Sequence, residues 1–235
     1  MTQLYMIRHG QASFGTDNYD RLSELGDLQA RLLGNYFKRI GLSFDRVYSG
    51  TLERQKDTAR IVVSSMTNNG TQPGFHKMDA FDEFNSTAFL ANPIQDLLKD
   101  NPNLSEDVIR AEQSWSAFRR VVDRAMMHAF NARQPMSDAE SPGEFILRVK
   151  AGIEQVVQEN QSSGRVAIFT SGGTMSAAMH IALNLDIEET IRLGWQIKNT
   201  SVTTFAMEND RLTLISFNSV PHLECRNDPK LITMV

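Results

Sequence analysis

Two apolar runs in this chain stop abruptly where polar and glycine residues begin. Leu4-Tyr5-Met6-Ile7 ends at Arg8-His9-Gly10, and Val166–Phe169 ends at Thr170-Ser171-Gly172-Gly173-Thr174. A run with no polar alternation fits a strand buried on both faces, the condition of a parallel sheet covered by helices. The intervening text agrees with that reading. Ser23 is placed to cap a helix in which Leu25, Leu28, Leu32 and Tyr36 recur at helical spacing, with Gly41 as its stop. Phe44–Tyr48 reads as a second strand ending at Ser49-Gly50. The next helix carries Ala59, Ile61, Val62 and Met66, is broken by Asn68-Asn69-Gly70, and leads to a third strand over Phe75–Phe81. After the Val166–Thr170 strand come a helix over Met175–Leu185 and strands over Val202–Met207 and Leu212–Phe217, joined at Glu208-Asn209-Asp210. The expected fold is α/β: a three-layer α/β/α sandwich with a mostly parallel central sheet.

Between the third and fourth strands the texture changes. Three amphipathic helical stretches, Leu90–Leu98, Val108–Ala132 and Gly143–Glu159, are punctuated by Asn101-Pro102-Asn103 and Ser141-Pro142-Gly143. The chain of 235 residues is thus read as a single domain, 1–235, carrying a helical insertion at roughly 85–163. Val166–Leu185 contains no charged residue and is long enough to span a bilayer. Its Thr-Ser-Gly-Gly-Thr middle, with His180 and Asn184 beyond, fits a buried strand, a tight turn and a core helix better than a spanning helix.

Charge and cysteine usage narrow the work such a fold could do. The 24 basic and 28 acidic residues give a formal charge of −4, with no basic stripe for nucleic acid and no polybasic membrane anchor. One cysteine, Cys225, cannot form an intramolecular disulfide or a cysteine-based zinc site. With no secretory pattern at the N-terminus, the expected location is the cytoplasm. Patterns for a nucleotide-binding loop, a dinucleotide fold and a zinc protease helix are all lacking. No cofactor is expected.

In parallel α/β sheets, ligands gather outside the carboxyl ends of the strands. Those ends here offer Arg8 and His9, then Ser49-Gly50-Thr51 with Arg54 just beyond, and finally the glycine-rich start of a helix at Gly172. Two arginine forks, backbone amides at a helix N-terminus and one imidazole fit a phosphoryl group held by the arginines and attacked by the histidine. Taken singly, each arginine reads as a surface ion-pair partner and His9 as a strand-end core residue. Their convergence on one sheet edge favours a site. His76, His128 and His180 read as structural, and Cys225 as a bystander. His222 reads equally well near the pocket or in the core.

Leu4–Gly10 resembles the Arg-His-Gly signature that opens the histidine phosphatase superfamily, the phosphoglycerate mutase-like proteins. Tyr48–Arg54 followed by Thr58-Ala59 resembles its second-arginine segment, and Asn199–Val202 and Asn218–Leu223 resemble its C-terminal strand and ending. The resemblance implies that His9 is a nucleophile that becomes phosphohistidine, that Arg8 and Arg54 clamp phosphoryl oxygens, and that no metal takes part. It also places the acid that protonates the leaving group at Glu83, with Asp82 as runner-up. A general acid must carry its proton near neutral pH, which burial favours.

One position departs from the family pattern. Ser171 stands where a second histidine is usual, so Ser171 and the amides of Gly172 and Gly173 would have to hold the charge that an imidazole would otherwise meet. The resemblance therefore implies a metal-independent phosphomonoester hydrolase acting on a small phosphorylated molecule. Two alternatives stay open: a catalytically weak or silent phosphate-binding module, and a phosphoglycerate mutase-type phosphotransferase. The latter is disfavoured because the loop after Gly10 lacks a Trp-rich segment. A homodimer is left open, and neither nucleic acid nor membrane is expected as a partner.

Overall fold

A computed structural model describes residues 2–13, 20–66, 74–85, 98, 102–111, 113–131, 140–160, 164–208 and 211–234. Among these residues six strands form one sheet: β1 (Thr2–Arg8), β2 (Arg46–Ser49), β3 (Gly74–Lys77), β4 (Arg165–Thr170), β5 (Val202–Glu208) and β6 (Arg211–Ser219). Their spatial order is β3-β2-β4-β1-β5-β6. β3, β2, β4 and β1 run parallel, whereas β5 is antiparallel to both its neighbours. The helices among the described residues are α1 (Glu24–Arg39), α2 (Glu53–Met66), α3 (Ser105–Arg110), α4 (Trp115–Asn131), α5 (Pro142–Glu159), α6 (Gly172–Leu183), α7 (Ile187–Gly194) and α8 (Pro221–Glu224).

Alternation along the strands sorts the core into two layers. Leu4, Met6, Val166 and Ile168 pack with Phe145, Val149 and Ile153 of α5 and Met175, Ala178 and Met179 of α6 on one face. Ile7, Ala167 and Phe169 pack on the other face with Ala30, Leu33 and Phe37 of α1 and Ala59, Val62 and Val63 of α2. The fold is the expected α/β/α sandwich. The uncharged Val166–Leu185 stretch is strand β4 followed by core helix α6. No helix among the described residues is long and apolar enough to cross a membrane.

The ends of α1 match its sequence signals. Ser23 Oγ accepts the Gly26 N–H at 3.1 Å, and Gly41 follows the last turn at φ +67°, in the left-handed region that suits glycine. Other boundaries differ from expectation. The third strand stops at Lys77 instead of Phe81. Asp79–Phe81 forms a 3₁₀ turn that buries the Phe81 ring and turns its carbonyl to accept from Gln55 Nε2 (3.0 Å) and Thr170 Oγ1 (2.7 Å). The Val108–Ala132 stretch is two helices, because Ser114 starts α4 by accepting from the Ala117 N–H through Oγ (3.4 Å) and the Phe118 N–H through its carbonyl (2.9 Å). Of the expected helix at Leu90–Leu98, only residue 98 lies within the described residues, and 209–210 of the β5–β6 connection lie outside them.

Candidate active site

The strand order β2-β4-β1 sets three carboxyl ends side by side. Register pairs Arg8 with Thr170 across β1–β4, and Ser49 with Phe169 across β2–β4. The peptide of His9 is clamped there. Its N–H donates to the Thr170 carbonyl (2.9 Å), and its carbonyl accepts from Asn199 Nδ2 (3.2 Å) and the Thr200 N–H (3.3 Å). The next residue is held from the other side of the sheet, because the Gly10 N–H donates to Thr58 Oγ1 (3.0 Å) on α2. Only glycine fits at position 10, since a Cβ there would lie 2.4 Å from the Gly26 carbonyl oxygen.

The His9 side chain is buried, with its Nδ1 2.7 Å from the Gly10 carbonyl. A carbonyl only accepts, so Nδ1 carries the ring proton and Nε2 keeps its lone pair. Arg54 Nε donates to that Nε2 at 3.2 Å. Burial, then the charges of Arg54 and Arg8, hold the imidazole pKa well below the usual histidine value. The group is a neutral imidazole with its basic nitrogen beside two guanidinium groups.

Each arginine is aimed by the backbone or by a carboxylate. Arg8 Nη1 donates to the carbonyls of Ile197 and, at 2.8 Å, Met234. Arg54, at the first turn of α2, is buried and pairs through Nη1 with Asp20 Oδ1 at 2.7 Å. Asp20 Oδ2 also accepts the Glu53 N–H (2.9 Å), so this carboxylate anchors both the helix start and the guanidinium. Its signal in the sequence is only a carboxylate in the loop after Gly10, within an Asn18–Ser23 segment that resembles the phosphatase branch of the family but assigns Asp20 no partner.

Glu83 follows the 3₁₀ turn. Its Oε2 accepts the Gly173 N–H at 3.1 Å and its Oε1 the Phe84 N–H at 2.9 Å. A Cβ on Gly173 would stand 2.1 Å from Glu83 Oε1, so the glycine admits the carboxylate. Asp82 turns elsewhere, accepting the N–H (2.5 Å) and Oγ1–H (2.6 Å) of Thr51.

Arg8, His9, Arg54, Glu83, Gly172 and Gly173 line one cavity of about 350 Å³. Ser171 does not. It is fully buried behind the cavity floor, and its Oγ accepts from Gln55 Nε2 at 2.8 Å. The amide of Gly173 is taken by Glu83, whereas Gly172 lines the cavity beside Arg8. His222 is buried but not in the cavity. It bonds Thr200 Oγ1 through Nε2 at 2.8 Å, and burial pushes its pKa down to about 3. Cys225 is exposed. No group of three or more His, Cys, Asp or Glu suited to a metal occurs among the described residues.

Residues 4–220 match the sequence profile of the histidine phosphatase superfamily (branch 1). A 2,3-bisphosphoglycerate-dependent phosphoglycerate mutase from Hamiltonella defensa subsp. Acyrthosiphon pisum (strain 5AT) is 31% identical over 67 residues, 26% of this chain and 27% of that protein. The match thus spans about a quarter of the curated relative. Among solved structures, a phosphoglycerate mutase from Bacillus anthracis str. Sterne superposes with a TM-score of 0.67 at 19% identity, covering 97% of each chain. A phosphoserine phosphatase mutant from Entamoeba histolytica in complex with phosphoserine gives 0.65 at 19% identity, covering 95% of this chain and 100% of that one. At such identities these structural likenesses show the fold.

Proposed function

This chain belongs to the histidine phosphatase superfamily, and from that premise we propose that it is a phosphomonoester hydrolase working through phospho-His9. The observation that carries the reading is the state of His9, neutral and protonated on Nδ1, with the Nε2 lone pair on a cavity flanked by Arg8 and Arg54. In this proposal the phosphoryl oxygens take the N–H groups of Arg8, Arg54 and Gly172, which draws Arg54 off Nε2 and frees the lone pair for attack on phosphorus. The N–P bond forms as the P–O bond to the alcohol breaks, and the departing oxygen takes the proton of the Glu83 carboxyl. Water then attacks phospho-His9 and passes a proton to Glu83. The P–N bond breaks with its electron pair returning to Nε2, and inorganic phosphate leaves. Every step uses the chain's own residues and needs no metal.

Release of phosphate from p-nitrophenyl phosphate by wild type and His9→Ala tests the reading. Turnover by wild type and its loss in the variant is expected. No turnover by wild type, or equal turnover by both, overturns it. A silent phosphate-binding module is the second reading, and the placement of Ser171 favours it, since a hydroxyl engaged with Gln55 outside the lining gives no obvious replacement for an imidazole. The proposed ligand is a small phosphorylated molecule. The free thiol of Cys225 fits a reducing compartment such as the cytoplasm.

A further inference from the structure

The cavity in front of His9 has two unlike ends. Arg8, His9, Arg54 and Glu83 gather at its floor. Beyond them the wall is built by Phe84, by Val122 of α4, by Phe145 and Ile146 of α5, by Ile191 of α7 and by Trp195 just after it. Among the described lining residues there is no cation other than Arg8 and Arg54 and no carboxylate other than Glu83.

Polar side chains on the wall have their protons already placed. Ser176 Oγ donates to the Gly173 carbonyl (2.8 Å), and Thr190 Oγ1 donates to the Asp186 carbonyl (2.6 Å). The Trp195 indole N–H donates to Asp123 Oδ1 at 2.5 Å, and Asp123 is not part of the lining. What the described wall residues then present to the cavity is mostly ring and aliphatic surface, with two hydroxyl oxygens that can accept but no hydroxyl proton to give. Its volume of about 350 Å³ falls in the range of sites that enclose a whole small molecule, well beyond a phosphoryl group alone.

We propose that the alcohol portion of the substrate is bulky, uncharged and apolar, an aryl or extended alkyl group, and not a phosphorylated acid or sugar. This rests on the reading of the floor as a phosphoryl site. An apolar leaving group would bury its surface against Phe84, Phe145 and Trp195. A carboxylate or a set of hydroxyls placed there would lose its water, and the described lining residues of the wall offer no free donor or cation to replace it. The strong, short-range selectivity of the floor would thus be joined to a permissive, size-dependent selectivity of the wall.

The test uses non-hydrolysable n-alkylphosphonates from methyl to octyl, with affinity for wild-type protein measured by calorimetry. Affinity is expected to rise about threefold to fourfold per methylene until the cavity fills, and 3-phosphonopropionate to bind no tighter than ethylphosphonate. Ile191→Lys should reverse the order, weakening octylphosphonate and strengthening 3-phosphonopropionate. If that variant does not fold, the wild-type series decides alone. A flat series, or preference of wild type for the carboxylated phosphonate, overturns the proposal. Turnover of 1-naphthyl phosphate beside phosphoserine separates this from the hydrolase reading: a rising affinity series without turnover supports the apolar wall and sinks only the hydrolase.

Discussion

His9 gives its Nδ1 proton to the Gly10 carbonyl and holds its other nitrogen toward the cavity, and burial, then the charges of Arg54 and Arg8, keep the ring neutral. Its ring should therefore stay in the Nδ1–H tautomer throughout the pH range where a free imidazole titrates. Nitrogen NMR of the labelled protein would show this, and a midpoint near 6.5 would contradict it. At Ser171 the structure changes what substitution should do. Its Oγ is packed against Gln55, which is itself fully buried and donates to Phe81 as well. An imidazole at 171 has no room, so Ser171→His should cost about 1–3 kcal/mol of stability from overpacking. Adding Gln55→Ala should restore the room, and kcat/KM of the double variant should exceed that of Ser171→His by about tenfold or more. Thermal unfolding and turnover of the variants check both parts. The sequence made His9, Arg8 and Arg54 legible because strand ends in a parallel sheet are where chemistry gathers. It could not reveal Gln55 or Asp20, whose roles exist only through partners 116 and 34 residues away.

At the scale of elements, the loops that close the site are braced from a distance. Asn218, at the end of β6 with φ +54°, accepts the Lys198 N–H through Oδ1 (2.8 Å) and donates to the Gln196 carbonyl through Nδ2 (2.8 Å). Between those two residues sits Ile197, whose carbonyl receives Arg8. Asn218→Ala removes both bonds and puts a side chain that disfavours the left-handed region at a position that requires it. It should lower stability by about 1–2 kcal/mol and raise KM for a phosphomonoester more than it lowers kcat. An unchanged KM would show that the brace does not reach Arg8. Helix α1 was readable because its Ser23 cap and its apolar periodicity agreed, and the parallel strands because their apolar runs stop at polar and glycine residues. The break between α3 and α4 was hidden because apolar spacing continues across Ser114, whose capping role shows only in its bonds to Ala117 and Phe118. Helix α7 went unread because it is short, although Asp186 caps it through the Glu189 N–H at 2.8 Å.

For the whole molecule, two buried neutral histidines weaken the fold toward acid pH. His222 carries a pKa of about 3 in the folded chain against an ordinary 6.5, so between those values the unfolded chain binds a proton that the folded chain does not. Stability should be full above about pH 6.5 and fall toward pH 3, with His222 contributing at most about 1.4 kcal/mol per pH unit. His9, also depressed, adds in the same sense. Denaturant unfolding at several pH values should show a shallower slope for His222→Gln than for wild type, and identical slopes would contradict the assignment. The architecture, a sandwich with helices inserted before β4, was legible as a whole, yet the character of the cavity was not. Phe84, Val122, Phe145 and Trp195 lie far apart in sequence and become one apolar wall only after folding. The proposed hydrolysis rests on covalent chemistry at a single nitrogen, His9 Nε2. Its most direct measurement is a rapid acid-free quench of wild type turning over a ³²P-labelled phosphomonoester, followed by mass spectrometry of the labelled peptide. An acid-labile phosphoryl group on His9, absent from His9→Ala, is expected. Sustained turnover with no label, or with label on another residue, would contradict it.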